Sequence, residues 1–189
     1  MIYHKMKKYR ETLDDNNKKV FDLFKKYKPE SNTFIETGCH LGGGITKAIN
    51  AGYDKIYSCD INMSRVEHCI NLICEMSSSG RIVEPWIYNC NSTQFLMDLL
   101  PKIDTDATFW LDAHDEGGGF PLFQELDLIK TLFKNKSSTI IMDDIPVYLN
   151  QEGIDDIKKQ IKEINPDYEF DTCSTASPDH VLIASIKLS

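Results

Sequence analysis

The chain has 189 residues, 41% of them hydrophobic, and no apolar run approaching the roughly 20 residues that a bilayer-spanning helix needs. A formal net charge of −8 argues against a general grip on nucleic acid, which requires a basic footprint. The six cysteines (Cys39, Cys59, Cys69, Cys74, Cys90 and Cys173) include no Cys-x-x-Cys pair, and Met1 to Lys5 lacks the apolar core of a signal peptide; the expectation is a cytoplasmic protein with reduced thiols.

Lys5, Lys7, Lys8 and Arg10 cluster near the start, as the solvated face of a helix or a contact for an anionic partner. Val20, Phe21, Phe24 and Tyr27 recur at helical spacing, so Leu13 to Lys28 is predicted as an amphipathic helix that Pro29 ends. Strand and helix then alternate. Strands are predicted at Thr33–Glu36, Lys55–Asp60, within Ile82–Tyr88, at Ala107–Leu111 and at Thr139–Met142. Pro85 puts the third at a sheet edge or a bulge. Helices are predicted from Gly44, over Met63–Met76, Thr93–Leu100, Leu122–Phe133 and Ile154–Ile164, with a break at Ser77–Gly80. Tyr168–Thr172 and Val181–Ile186, joined by a short loop, close the chain as an antiparallel pair. The expected architecture is α/β: a Rossmann-like, doubly wound sheet of about seven strands, the last antiparallel, with helices on both faces. We read residues 1–189 as one domain, a helical segment (1–30) and a Rossmann-like core (31–189).

The first strand runs into Glu36-Thr37-Gly38-Cys39-His40-Leu41-Gly42-Gly43-Gly44, and the second ends at Asp60. A glycine-rich turn between a strand and a helix lets a ligand lie against bare backbone, and an acid about twenty residues on grips a ribose diol. A dinucleotide fingerprint needs glycine at position 40, where this chain has His40. Glu36 would repel phosphate and attract an ammonium group. S-adenosylmethionine, with an ammonium, a sulfonium, a ribose and no phosphate, suits Glu36-x-Gly38-x-x-x-Gly42. A tight strand–helix turn with no ligand is the alternative, but three consecutive glycines cost on the order of 0.5–1 kcal/mol each against alanine.

On these residues the chain resembles the class I S-adenosylmethionine-dependent methyltransferases. The resemblance implies that Glu36, Thr37, Gly38, His40 and Gly42 form the methionine end of the cofactor site. It implies that Asp60 takes the ribose hydroxyls, Ile61 flanks the adenine, Asn91 and Ser92 meet the adenine edge, and Asp112 borders the cofactor.

In an open α/β sheet, ligands bind outside the carboxyl ends of the strands. Those ends carry Glu36, Asp60, Asn91-Ser92, Asp112 and Asp143-Asp144, a polar rim along one edge. Phe109-Trp110-Leu111-Asp112-Ala113-His114, followed by Asp115, Glu116 and the glycines 117–119, and Met142-Asp143-Asp144-Ile145-Pro146 are the other two signatures. Three carboxylates brought together repel one another unless a cation sits between them, and Mg²⁺ suits such oxygen ligands. The arrangement resembles the metal-dependent sugar O-methyltransferases of the macrocin type. That resemblance implies Mg²⁺ or Mn²⁺ held by Asp112, Asp143 and Asp144 beside a sugar or glycan hydroxyl. Either His114 or Asp112 is the expected base, with His114 slightly favoured, since a metal-bound carboxylate is the weaker base.

Alternatives stay open at this point. Asp143 or Asp144 could cap a helix beginning near Pro146, and His114 could merely orient the aspartate. Phe120 or Tyr148 could stack on a sugar ring. His4, His68 and His180 are given no chemical role. A catechol acceptor or a nicotinamide-dependent oxidoreductase are the rival activities, and a homo-oligomer stays open.

Overall fold

The computed structural model describes residues 15–77, 83–114, 119–134, 137–175 and 177–186. The basic cluster at Lys5–Arg10, the start of the first helix at Leu13, the break at 78–80, Ile82 and the loop residues Asp115, Glu116, Gly117 and Gly118 lie outside them.

In chain order the elements are α1 (Asp15–Lys26), β1 (Thr33–Thr37), α2 (Gly43–Ala51), β2 (Lys55–Asp60), α3 (Met63–Ser77), β3 (Glu84–Asn89) and α4 (Ser92–Leu99), which runs on into a 3-10 turn at Leu100–Lys102. Then come β4 (Thr108–Leu111), α5 (Leu122–Leu132), β5 (Thr139–Met142), α6 (Ile145–Tyr148), α7 (Gln151–Ile164), β6 (Glu169–Cys173) and β7 (Val181–Ser185). The strands form one seven-stranded sheet in the order β3-β2-β1-β4-β5-β7-β6. The first five are parallel, and β7 runs antiparallel to both β5 and β6.

Period-two alternation explains why this sheet is covered twice. Ile35, Phe109, Leu111, Ile140, Met142, Leu182 and Ala184 face one apolar layer, completed by α4, α5 and α7. Phe34, Trp110, Ile141, Val181 and Ile183 face the other, completed by α1, α2 and α3. Phe24 of α1 packs edge-on against both Phe34 and Trp110. The buried Tyr53 hydroxyl lies 2.9 Å from the Phe24 carbonyl and 2.8 Å from Thr108 Oγ1, which donates to the Tyr27 carbonyl. These bonds satisfy carbonyls at the end of α1 and pin it beside the first strand.

The predicted elements are present, most with bounds shifted by one to three residues. The third strand is an edge strand, as Pro85 requires. The helix predicted from Ile154 starts at Gln151, because Asn150 caps it, accepting from the Gly153 N–H at 2.9 Å. The four-residue α6 was not expected as an element of its own. Among the described residues no helix is long and apolar enough to cross a membrane.

Candidate functional site

Strand register builds the site. Cys59, Thr37, Leu111 and Met142 lie side by side at the ends of β2, β1, β4 and β5. One residue further on, the chain places Asp60, Gly38, Asp112 and Asp143 in a row. The row spans the point where the sheet order reverses, between β1 and β4, which is where open α/β sheets take ligands.

The glycine-rich turn is built on close approach. Gly38 has φ +84°, and a Cβ there would meet the Asp112 carbonyl oxygen at 2.9 Å. Its N–H and that of Cys39 both donate to the Cys59 carbonyl, at 3.0 and 2.8 Å. His40 is exposed at φ 44°, and its N–H donates to Asp60 Oδ2 at 3.0 Å. Asp60 Oδ1 accepts from the Asn62 N–H at 2.8 Å, with Arg65 Nη1 3.7 Å away. The same carboxylate that faces the cleft thus also ties β2 to the turn. Gly44, in the first turn of α2, lies directly over Glu36, and a Cβ there would collide with Oε1. Glu36 is buried and accepts from Ser58 Oγ at 2.6 Å. Burial pushes its carboxyl up to about 7, against the opposing pull of the Ser58 hydroxyl and the Lys47 ammonium.

Two cavities open on the row and share Gly38, His40, Asp112 and Asp143. The smaller, about 250 Å³, is lined by Glu36, Lys47 and His180 and roofed by Asn16, Asn17 and Val20 of α1. The larger, about 1230 Å³, runs from Asp60, Ile61, Asn91 and Ser92 at one end to His114, Phe120 and Asp144 at the other. Thr37 and Gly42 line neither. Thr37 is buried, and its Oγ1 accepts from the Asp112 N–H at 3.3 Å. Gly42, at φ +77°, is the left-handed hinge before α2. Asn91 Oδ1 is engaged as the cap of α4, accepting from the Gln94 N–H at 2.8 Å. Glu125, buried under the same end, meets Ser92 and Thr37, and burial pushes its carboxyl up to about 7.

The three carboxylates Asp112, Asp143 and Asp144 line the larger cavity together. Burial, then the charges of Asp143, Glu36 and Asp144, holds Asp112 well above the usual carboxylate range. Asp143 is raised by burial and by Asp144, with the Asp144 N–H, His180 and Lys47 pulling it back. Among the described residues the compact ligand sets are two overlapping triads, however. One is Asp112, His114 and Asp144; the other is Asp143, Asp144 and His180, each with donor atoms within 4.8 Å of one another. Asp144 turns one oxygen to each imidazole: Oδ2 lies 3.9 Å from His114 Nε2, and Oδ1 lies 2.7 Å from His180 Nε2. Asp144 occupies the position before α6 at φ 57°, and its side chain makes no capping bond, whereas Asp143 Oδ1 accepts from the Asp144 N–H at 3.0 Å at the start of that helix. Phe120 stacks on Tyr148 with ring centroids 4.6 Å apart, and His114 stacks on the same ring at 5.7 Å.

The reading of the sequence missed Lys47, Arg65, Glu125 and His180. Lys47 stands one helical turn after Gly43 and accompanies the loop in sequence, a signal that was present. His180 is brought in by register alone, because β5 and β7 run antiparallel with Met142 opposite Leu182, which puts Asp144 opposite His180.

No family model matches the sequence, and no curated relative matches it. Solved structures do. One is the O-methyltransferase TomG from Streptomyces achromogenes in complex with S-adenosylmethionine: 13% identity, 91% of this chain and 79% of that one, TM-score 0.61. Another is the methyltransferase PaMTH1 from Podospora anserina, bound to S-adenosylhomocysteine: 11% identity, 98% and 95% coverage, TM-score 0.53. A third is a spermidine synthase with a transition-state analogue: 13% identity, 93% and 62% coverage, TM-score 0.64. At such identities the likeness establishes the fold alone, the Rossmann-like seven-stranded sheet.

Proposed function

We propose that this chain is an S-adenosylmethionine-dependent O-methyltransferase, assisted by a divalent cation and acting on a sugar or glycan hydroxyl. The observation that carries the reading is the single row Asp60–Gly38–Asp112–Asp143, bordered by two cavities that share its central members. A nucleoside-binding half and a carboxylate-rich half therefore meet at Asp112. The residues present fit both groups. Gly38 leaves no room for a side chain beside Asp112, and Glu36 with Lys47 offers opposite charges for the amino and carboxylate ends of a methionine. Asp60 and Ile61 suit a ribose and an adenine face. The raised carboxyls of Asp112 and Asp143 would be relieved by a cation.

Bound S-adenosylmethionine supplies an activated methyl on its sulfonium, and a bound divalent ion supplies Lewis acidity toward the acceptor oxygen. The remaining duties fall to this chain. The acceptor proton must leave as the oxygen–carbon bond forms, and His114, half exposed at the cavity mouth, is placed to take it. Asp112 borders both halves. The aromatic stack of Phe120 and Tyr148 forms the acceptor rim; the Tyr148 ring already carries Phe120, which leaves the outer face of Phe120 for a sugar. A nicotinamide reading is disfavoured by His40, whose side chain stands where the fingerprint needs bare backbone.

Calorimetry tests the donor: S-adenosylmethionine and its demethylated product should bind and NAD should not, and the reverse result removes the reading. A methyl-transfer screen over monosaccharides and catechols, with and without divalent ions, tests the rest. Turnover on sugars that vanishes with chelator is expected; turnover confined to catechols, or undiminished in excess chelator, overturns the acceptor or the ion.

A further inference from the structure

We propose that the divalent ion is held by Asp143, Asp144 and His180, so that the site includes an imidazole nitrogen and selects a late first-row divalent ion, Fe²⁺, Co²⁺ or Zn²⁺, over Mg²⁺. The proposal rests on the cation-assisted reading above and replaces its three-carboxylate ligand set.

His180 immediately precedes β7, the strand that reverses direction, and the β5–β7 register carried two residues past its last pair sets it opposite Asp144. The Ile145 N–H donates to the His180 carbonyl at 3.1 Å, which locks the two backbones in register. The imidazole is nine-tenths buried and aims Nε2 at two carboxylate oxygens, Asp144 Oδ1 at 2.7 Å and Asp143 Oδ1 at 3.6 Å. Donors bound side by side to one ion at about 2.1 Å lie roughly 3.0–3.4 Å apart, so this set brackets the spacing an ion needs. The far nitrogen, Nδ1, lies 2.9 Å from Ser177 Oγ. A partner on the second nitrogen fixes ring orientation, as it does for most ligating histidines. His114 is the other nitrogen at this lip, but it stands 3.9 Å from Asp144 and is half exposed. Imidazole raises affinity for late first-row ions, whereas Mg²⁺ prefers oxygen donors and retained water.

The full chain is titrated calorimetrically with Co²⁺ and with Mg²⁺, and the Co²⁺ form is examined by proton NMR for a hyperfine-shifted imidazole N–H. Wild type should bind Co²⁺ at least tenfold tighter than Mg²⁺ and show such a signal. His180→Gln should lose the signal and at least tenfold in Co²⁺ affinity, while keeping the wild-type circular dichroism spectrum and a cooperative thermal transition, which shows that it folds. His114→Gln should keep the signal. Equal Co²⁺ and Mg²⁺ affinities, a signal that survives in His180→Gln, or one lost in His114→Gln overturns the assignment. Failure to bind S-adenosylmethionine with Co²⁺ binding intact counts against the methyltransferase reading alone.

Discussion

At the scale of single residues, Glu36 is the most consequential side chain of the proposed cofactor site. It sits beneath the first turn of α2 with Gly44 pressed against it, so the triple glycine is explained by packing as much as by ligand access. Its carboxyl, pushed up to about 7 by burial, is largely protonated below that pH. An incoming ammonium favours the carboxylate, so binding must expel a proton there. Affinity for S-adenosylmethionine should therefore rise as pH increases from about 5.5 to 7. Glu36→Gln should lose at least tenfold in affinity and flatten that dependence. Calorimetry across the pH range checks both, and a steep rise retained by the variant would assign the proton to another group.

At the scale of elements, α4 shows how one residue can be claimed twice. Asn91 borders the large cavity, yet its Oδ1 caps the helix by accepting from Gln94. Ser92, the first residue of the same helix, is turned inward to Glu125. Asn91→Ala should cost about 1 kcal/mol of stability, a fall of roughly 2–4 °C in Tm for a chain of this size. Thermal unfolding of the ligand-free protein reads it. An unchanged Tm would mean that water replaces the cap at no cost. The same reasoning explains the β5–α6 junction, where Asp144 holds a left-handed conformation without capping anything. Strain of that kind, of order 1–3 kcal/mol, persists where surrounding contacts over-determine it. Here the contact is His180.

At the scale of the whole molecule, two apolar layers enclose acids that the fold keeps out of water. Glu36 and Glu125 both have their carboxyls raised from 4.5 to about 7, and Asp112 and Asp143 are raised as well. Each is easier to ionise in the unfolded chain. For the two glutamates the stability contributed is full below the unfolded value near 4.5 and is lost as pH rises through about 7. For Glu125, one step of this size is on the order of 3 kcal/mol. Urea unfolding of the ligand-free protein should show stability falling from about pH 5 to pH 8, and Glu125→Gln should flatten part of that slope. A slope unchanged in the variant would show that Glu125 is ionised in neither state or in both.

Local pattern was enough for much of this protein. Alternating apolar residues mark strands buried on both faces, and helical spacing marks their covers. An acid closing one apolar run after another marks the ligand edge, because strand ends in a parallel sheet fall on one side whatever the neighbours are. Glu36, Gly38, Asp60, Asp112, Asp143 and Asp144 were legible for that reason. The tertiary structure alone decided what meets across strands. Nothing local states that β7 slots between β5 and β6, and without that order His180 has no reason to face Asp144, thirty-six residues away. The pairing of donor atoms into sets follows register and twist, which are properties of the assembled sheet, so which side chains meet at this lip was decided only when the last strand reversed.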